Sequence, residues 1–238
     1  MFKKFLMLEW KAFFRSASFR TNLALKILMI FGAIYFTLIF LFMGIGAFYL
    51  IKEELHLDPL VTVNQFLIYY FLFDLIMRLF LQKIPVMNIR PLLTLPIKKS
   101  TIVNFALGKT VLSFFNFVHC FFFVPFSIVL IMEGYDIVGV ILWHIGLMAL
   151  VYVNNFLNIL LNNKDYLFLI FIGLVLVLGT MQYYDLFDVT NYTSVFYQGL
   201  FDTRYIFLIP VFLLIALYAI TFNFFKKNLH LDTGLSSK

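Results

Sequence analysis

The sequence predicts an all-α polytopic membrane protein. It reads as a single transmembrane domain, residues 1–238, of six transmembrane helices. An interfacial amphipathic N-terminal helix precedes them, and a cytoplasmic coupling-type helix lies between spans two and three. Three observations carry this reading. The 238 residues are 63% hydrophobic, 20% aromatic and only 13% charged, with a mean hydropathy of +0.98, whereas soluble domains run at roughly 45–50% apolar and about 25% charged. Several apolar stretches are long enough for a hydrocarbon core of roughly 30 Å. No alternating strand pattern is present, which argues against a β-barrel. The same composition excludes disorder and disulfide-rich scaffolds, and the one cysteine, Cys120, cannot form an internal disulfide.

Taken in order, the first element is the interfacial helix over residues 2–17. On a helical period Phe2, Leu6, Trp10, Phe13 and Ala17 share one face, while Lys4, Lys11, Arg15, Ser18 and Asn22 share the other. Such a segment lies in the interface with its cations near anionic headgroups. Its apolar run Phe5–Leu8 is shorter than the 7–15 residues of a signal-peptide core. The spans follow at about Ile27–Leu50, Val61–Leu81, Ile102–Met132, Ile137–Leu161, Tyr166–Tyr184 and Tyr205–Phe225. The third is longer than a bilayer requires, so it is expected to start outside the apolar core.

Lysine and arginine set the orientation. One side holds Lys3, Lys4, Lys11, Arg15, Arg20 and Lys26, then Lys83, Arg90, Lys98 and Lys99, then Lys164, Lys226, Lys227 and Lys238. The other side has only Lys52 and Arg204 and collects acids, among them Glu53, Glu54, Asp58, Glu133, Asp136, Asp185, Asp188 and Asp202. Both termini are therefore expected in the cytoplasm, with the chain in the cell (cytoplasmic) membrane. The net charge of +6 follows from these loops, not from a nucleic-acid surface.

No stretch outside the spans is long enough for a soluble catalytic domain. Gly108-Lys109-Thr110 imitates the tail of a phosphate-binding loop, but Val103 stands where the leading glycine belongs and no strand precedes it. Lys83 and Arg90-Pro91 match one third of a membrane phosphatase signature. The histidines His56, His119, His144 and His230 supply neither of the other two motifs. His119 and Cys120 face different sides of a helix with no carboxylate one turn away, so no metal site is expected. The chain reads as a non-enzyme, with no cofactor of its own.

The informative polar residues sit inside the spans, where charge is costly and is normally paired or turned toward protein. Asp74 and Arg78 are one helical turn apart in the order that favours an ion pair, either a self-neutralising pair or a moving gate linkage. Asn154, Asn158 and Asn162 recur every four residues, with Asn155 adjacent. Ser113, Asn116 and Cys120 form another stripe with His119 beside it. Amides in lipid seek interhelical partners, which makes these residues helix-packing contacts or the lining of a pathway.

The stretch from Lys83 to Ser100 is basic, apolar and rich in proline (Pro85, Pro91, Pro96), which favours turns and helix starts. Arg90-Pro-Leu-Leu-Thr-Leu-Pro-Ile-Lys-Lys-Ser-Thr-Ile-Val, followed by Gly108-Lys109, resembles the segment after span two in type-2 ABC exporter permeases. The whole chain, through Leu8-Glu-Trp-Lys-Ala-Phe-Phe-Arg-Ser, Gly108-Lys-Thr and Asn154-Asn-Phe-Leu-Asn as well, resembles the N-terminal half of an uncharacterised permease-like membrane family related to that class. The resemblance implies that Met87–Lys99 docks onto a separate ABC-type ATPase subunit through Ile89, Arg90, Pro91, Leu92, Leu93, Pro96, Lys98 and Lys99. It also implies a second six-span half or a homodimer partner. The function expected is the permease subunit of an exporter of an unknown substrate, with the broad apolar spans favouring a hydrophobic one. The alternatives are a non-transporting structural or assembly subunit and, behind it, an intramembrane lipid-modifying enzyme.

Overall fold

A computed structural model describes residues 5–8, 10–11, 23–82, 96–162 and 165–228. Among them the regular elements are helical, with no strand. They are α1 (Leu23–Tyr49, continued by a π-helical turn Leu50–Glu54), α2 (Pro59–Leu81), α3 (Lys99–Val111), α4 (Phe114–Met132), α5 (Ile137–Asn162), α6 (Asp165–Tyr183), α7 (Val189–Asp202) and α8 (Leu208–Asn228). Six segments are long and apolar enough to cross a membrane: Ile30–Glu54, Pro59–Leu81, Lys99–Met132, Ile137–Asn162, Tyr166–Tyr183 and Leu208–Lys227. They match the six spans read from the sequence. Most of the interfacial helix 2–17 and residues 83–95 of the coupling-type helix lie outside the described residues.

Two features depart from the sequence reading. The third span is not one helix. Leu112 and Ser113 leave helical geometry, with Ser113 extended at φ −70° and ψ 145°, and α4 restarts from Ser113 as its N-cap. A break at this depth frees the carbonyls of Thr110 and Val111 from their usual partners four residues on, which is costly unless something replaces them. Ser113 N donates to Thr110 O at 3.0 Å, and the Asn116 side chain supplies the rest, its Nδ2 donating to Thr110 O at 2.9 Å and to Val111 O at 3.0 Å. The second departure is α7, which occupies the stretch read as a plain loop between spans five and six.

The sparse-lysine, acid-rich loops gather at one end. Tyr135 donates to Asp58 (2.8 Å), and Glu133 receives both Tyr49 and Lys52. Asp58 caps α2 by accepting from Val61 N, with Pro59 in the first turn. Gly134, at φ +93°, makes the turn into α5 that a side chain would strain.

α5 is the hub. α2, α4, α7 and α8 all pack on it. α7 reaches it because Gly139 and Gly146 leave room: a Cβ at Gly139 would come within 2.9 Å of the Phe201 ring and carbonyl. α1 lies along α4 at Gly44, where a Cβ would meet Phe122 O at 2.4 Å. Two apolar clusters result. One, toward the acid-rich end, includes Phe71, Phe123, Phe126, Trp143 and Tyr197. The other packs α3 between α5 and α8 through Ile102, Val103, Leu107, Phe156, Ile159 and Phe225.

Candidate functional site: a buried polar network at the broken span

Arg78 on α2 is fully buried, a placement that demands partners for every donor it carries. Its Nε donates to both oxygens of Asp74, at 2.9 and 2.8 Å. Nη1 donates to Gln82 Oε1 (3.2 Å) and Asn116 Oδ1 (2.8 Å), and Nη2 to the carbonyl of Phe115 (2.8 Å). One guanidinium on α2 therefore grips the first turn of α4, just past the break. The planar fork of arginine suits this divergent set of acceptors, and lysine would not.

Asp74 is satisfied from the other side. Asn154 Nδ2 donates to Oδ2 at 2.9 Å and to Phe71 O at 2.8 Å, and His119 Nε2 lies 3.0 Å from Oδ1. A carboxylate only accepts, so His119 carries its hydrogen on Nε2. His119 Nδ1 is then the acceptor for the Tyr70 hydroxyl, 2.5 Å away. Asp74 and Arg78 cancel in charge, and the imidazole bridges them to a phenol. Amides extend the chain: Gln82 Nε2 donates to Asn155 Oδ1 (2.7 Å), and Asn155 Nδ2 donates to Thr110 Oγ1 (3.0 Å). The network thus joins α2, both sides of the break, and α5.

The sequence pointed to most of these side chains but not to their connections. Asp74 and Arg78 do pair, yet they are not a self-contained unit, because five other residues complete them: Gln82, Phe115, Asn116, His119 and Asn154. Asn116, His119 and Asn154 belong to the network. Asn158 does not: its Oδ1 accepts from Asn162 (2.7 Å) and its Nδ2, buried, has no partner. The register explains this. Asn154 faces α2, and one turn on Asn158 has passed the end of the charged pair. Tyr70, Gln82 and Thr110 were missed. Gln82, eight residues after Asp74 and four after Arg78, carried the helical-spacing signal that could have found it. Cys120 points away from the network, with its Sγ 4.0 Å from Met148 Sδ.

Of the expected docking residues, Ile89, Arg90, Pro91, Leu92 and Leu93 lie outside the described residues. Pro96 and Lys98 are exposed, and Lys99 opens α3. Outside the spans, the hydrogen bond from Lys52 holds the carboxyl of Glu133 below the usual carboxylate range. Burial, helped by Asp58, pushes the Tyr135 phenol up.

Residues 9–238 match a family described as a family of unknown function (DUF5687), and the chain belongs to it. No curated protein and no solved structure matches the chain.

Proposed function

We propose that this DUF5687 chain is the permease subunit of an ABC-type exporter, with both termini in the cytoplasm. In this reading it couples ATP hydrolysis on a separate ATPase subunit to the movement of cargo. The observation that carries the reading is the joint at Leu112–Ser113 held by a buried guanidinium. Irregular backbone at membrane depth is tolerated where protein re-satisfies it, and ionisable groups there mark functional sites by default. Broken spans of this kind recur in transporters.

The parts line up as a lever. The proline-rich segment ending at Lys98 runs directly into α3, a 13-residue helix packed between α5 and α8. A helix of that length carries a displacement about 20 Å without bending. It delivers the displacement to the joint that Asn116 and Arg78 close. A partner pressing on Met87–Lys99 would work against those hydrogen bonds. The uneven division of lysine and arginine between alternate loops of the sequence supports the cytoplasmic orientation.

The test is purification of the full chain in mild detergent, with identification of co-eluting proteins. An ATPase bearing Walker motifs should co-elute, and Leu92→Asp with Leu93→Asp should release it while the chain stays membrane-inserted. Lys98→Gln with Lys99→Gln should weaken docking only mildly, because exposed rim charges are worth about 0–1 kcal/mol. An ATPase that survives loss of both leucines removes the docking role. If the chain purifies with membrane proteins but no ATPase, the structural-subunit reading replaces this one.

A further inference from the structure

A groove of ≈ 480 Å³ opens at the acid-rich end between the start of α2 and one face of α7, within the range of about 300–1,000 Å³ typical of small-molecule sites. Val61, Val195 and Ile206 give it apolar surface; its polar lining is Asn64 and Gln65 from α2 and, from α7, Asn191, Ser194, Gln198 and Asp202. On α7 these four recur three or four residues apart and so form one stripe. A second hollow continues the groove through Gln65 and Asn191 and adds the exposed ring of Phe66. Among the described residues, no lysine, arginine or histidine lines either space.

The floor is preorganised. Asn64 is fully buried, its Oδ1 accepting from Trp143 Nε1 at 2.8 Å and its Nδ2 donating to Gln198 Oε1 at 2.8 Å. That fixes the Gln198 amide, whose Nε2 makes only a long contact of 3.4 Å with Asp202. The groove and its continuation therefore present planar amides that both donate and accept, the accepting carboxylates of Asp202 and Asp188, hydroxyls, and an aromatic face beside them. The absence of cations argues against phosphorylated or carboxylated ligands. Hollows lined almost wholly by apolar side chains lie around Tyr70–Phe123 and between α2 and α6, and the polar stripe of this groove suits an acyl chain less than they do. A ring of hydroxyls with an apolar C–H face satisfies each feature of the lining.

We propose that this groove binds a neutral saccharide unit. The proposal deepens the transport reading and rests on it for its role, that of the cargo site at the acid-rich end. Binding itself is measured without the ATPase.

Trp143 is the reporter, because its indole N–H is one hydrogen bond from Asn64 and two from Gln198. The protein has two tryptophans, and Trp10→Phe leaves Trp143 alone. The full chain in lipid nanodiscs is titrated with glucose, N-acetylglucosamine and maltose, and in parallel with putrescine and glycylglycine. At least one sugar should change Trp143 fluorescence saturably. Gln198→Leu, and separately the solvent-facing Asn191→Ala, should weaken that response at least tenfold. Asn191→Ala should leave the thermal unfolding midpoint unchanged, which separates lost binding from lost folding. No saturable response to any of the three sugars overturns the proposal. So does a response unaltered in both variants, or one confined to putrescine or glycylglycine. Sugar binding by a chain that co-purifies no ATPase would keep the site and remove the exporter role. A retained ATPase with no sugar response would do the reverse.

Discussion

α5 and α6 are neighbours in sequence and equal in mean hydropathy, at 2.0 over their most apolar stretches, yet half of that stretch is buried in α5 and none of it in α6. Hydropathy therefore distinguishes membrane from water and says nothing of protein from lipid, since a lipid tail is as apolar as a leucine. What separates the two helices is their exceptions. α5 carries Gly139 and Gly146, which admit α7, and Asn154 and Asn155, which reach α2 and α3. α6 also has two glycines, Gly173 and Gly179, but nothing lies within 4 Å of where their Cβ atoms would be. Of its in-span polar groups, Thr180 turns back onto Leu176 O within its own helix, and Gln182, in the last turn, accepts from Val189 N. Small and polar residues bury a span only where a partner answers them.

The comparison breaks most severely if the charged pair that α5 supports proves dispensable. Arg78→Leu should cost about 3–5 kcal/mol, because it strands Asp74 as an uncompensated buried charge, and should be read as a large loss of folded protein on detergent unfolding. Asp74→Leu with Arg78→Leu together should cost less than either single change, since no charge remains. The deficit left over then measures Asn116, Asn154 and His119 deprived of their partners. Additive losses would mean that the pair does not interact.

A sharper version compares glycines of the two helices. Gly139→Ala should cost about 1–3 kcal/mol, the usual range for overpacking, because its Cβ would press on both the ring and the carbonyl of Phe201. Gly173→Ala on α6 should be neutral or stabilising by about 0.4–1 kcal/mol, since nothing opposes the methyl and the unfolded chain loses freedom. Thermal unfolding of the two variants side by side decides it. Equal effects would mean that α6 is packed as α5 is.

How much of this the sequence disclosed follows the same line. The spans were legible because hydropathy over about twenty residues is a strong local signal, and Asp74–Arg78 because one helical turn separates them. The joint at Ser113 was not, because no proline or glycine marks it. It exists only because Asn116 can turn back to Thr110 and Val111 while its own carbonyl oxygen meets Arg78 from another helix. The amides were visible as stripes, but a stripe does not name its partner, which is why Asn158 was grouped with Asn154. α7 is not legible as a helix because its apolar residues alternate with Thr190, Asn191, Thr193, Ser194 and Gln198 and form no run long enough for a span. Gly139 and Gly146, the sites that receive its Phe201 and Leu200, lie more than fifty residues earlier.

The smallest effect lies at the start of α7, the helix that docks on α5 where α6 has no counterpart. Asp188 caps it, its Oδ1 accepting from the Thr190 hydroxyl at 2.5 Å and from Asn191 N at 2.9 Å. These bonds, the hydroxyl contributing most, hold its carboxyl below the usual aspartate range, which is about 3.9. A carboxyl whose value is depressed in the folded state stabilises that state fully above the unfolded value. The contribution is lost as the pH falls through the folded one. Hydrogen exchange of the first turn of α7 should therefore be insensitive to pH, once corrected for intrinsic rates, from neutrality down to about 5, and protection should fall only below about pH 4. Because the group is fully exposed, the loosening should stay within that turn and leave the Gly139–Phe201 contact intact. Asp188→Asn keeps an acceptor for Asn191 N and cannot titrate, so it should flatten the acid response without unravelling the helix. An acid response that persists unchanged in Asp188→Asn would place its origin elsewhere, with Asp202 at the other end of α7 the next group to replace.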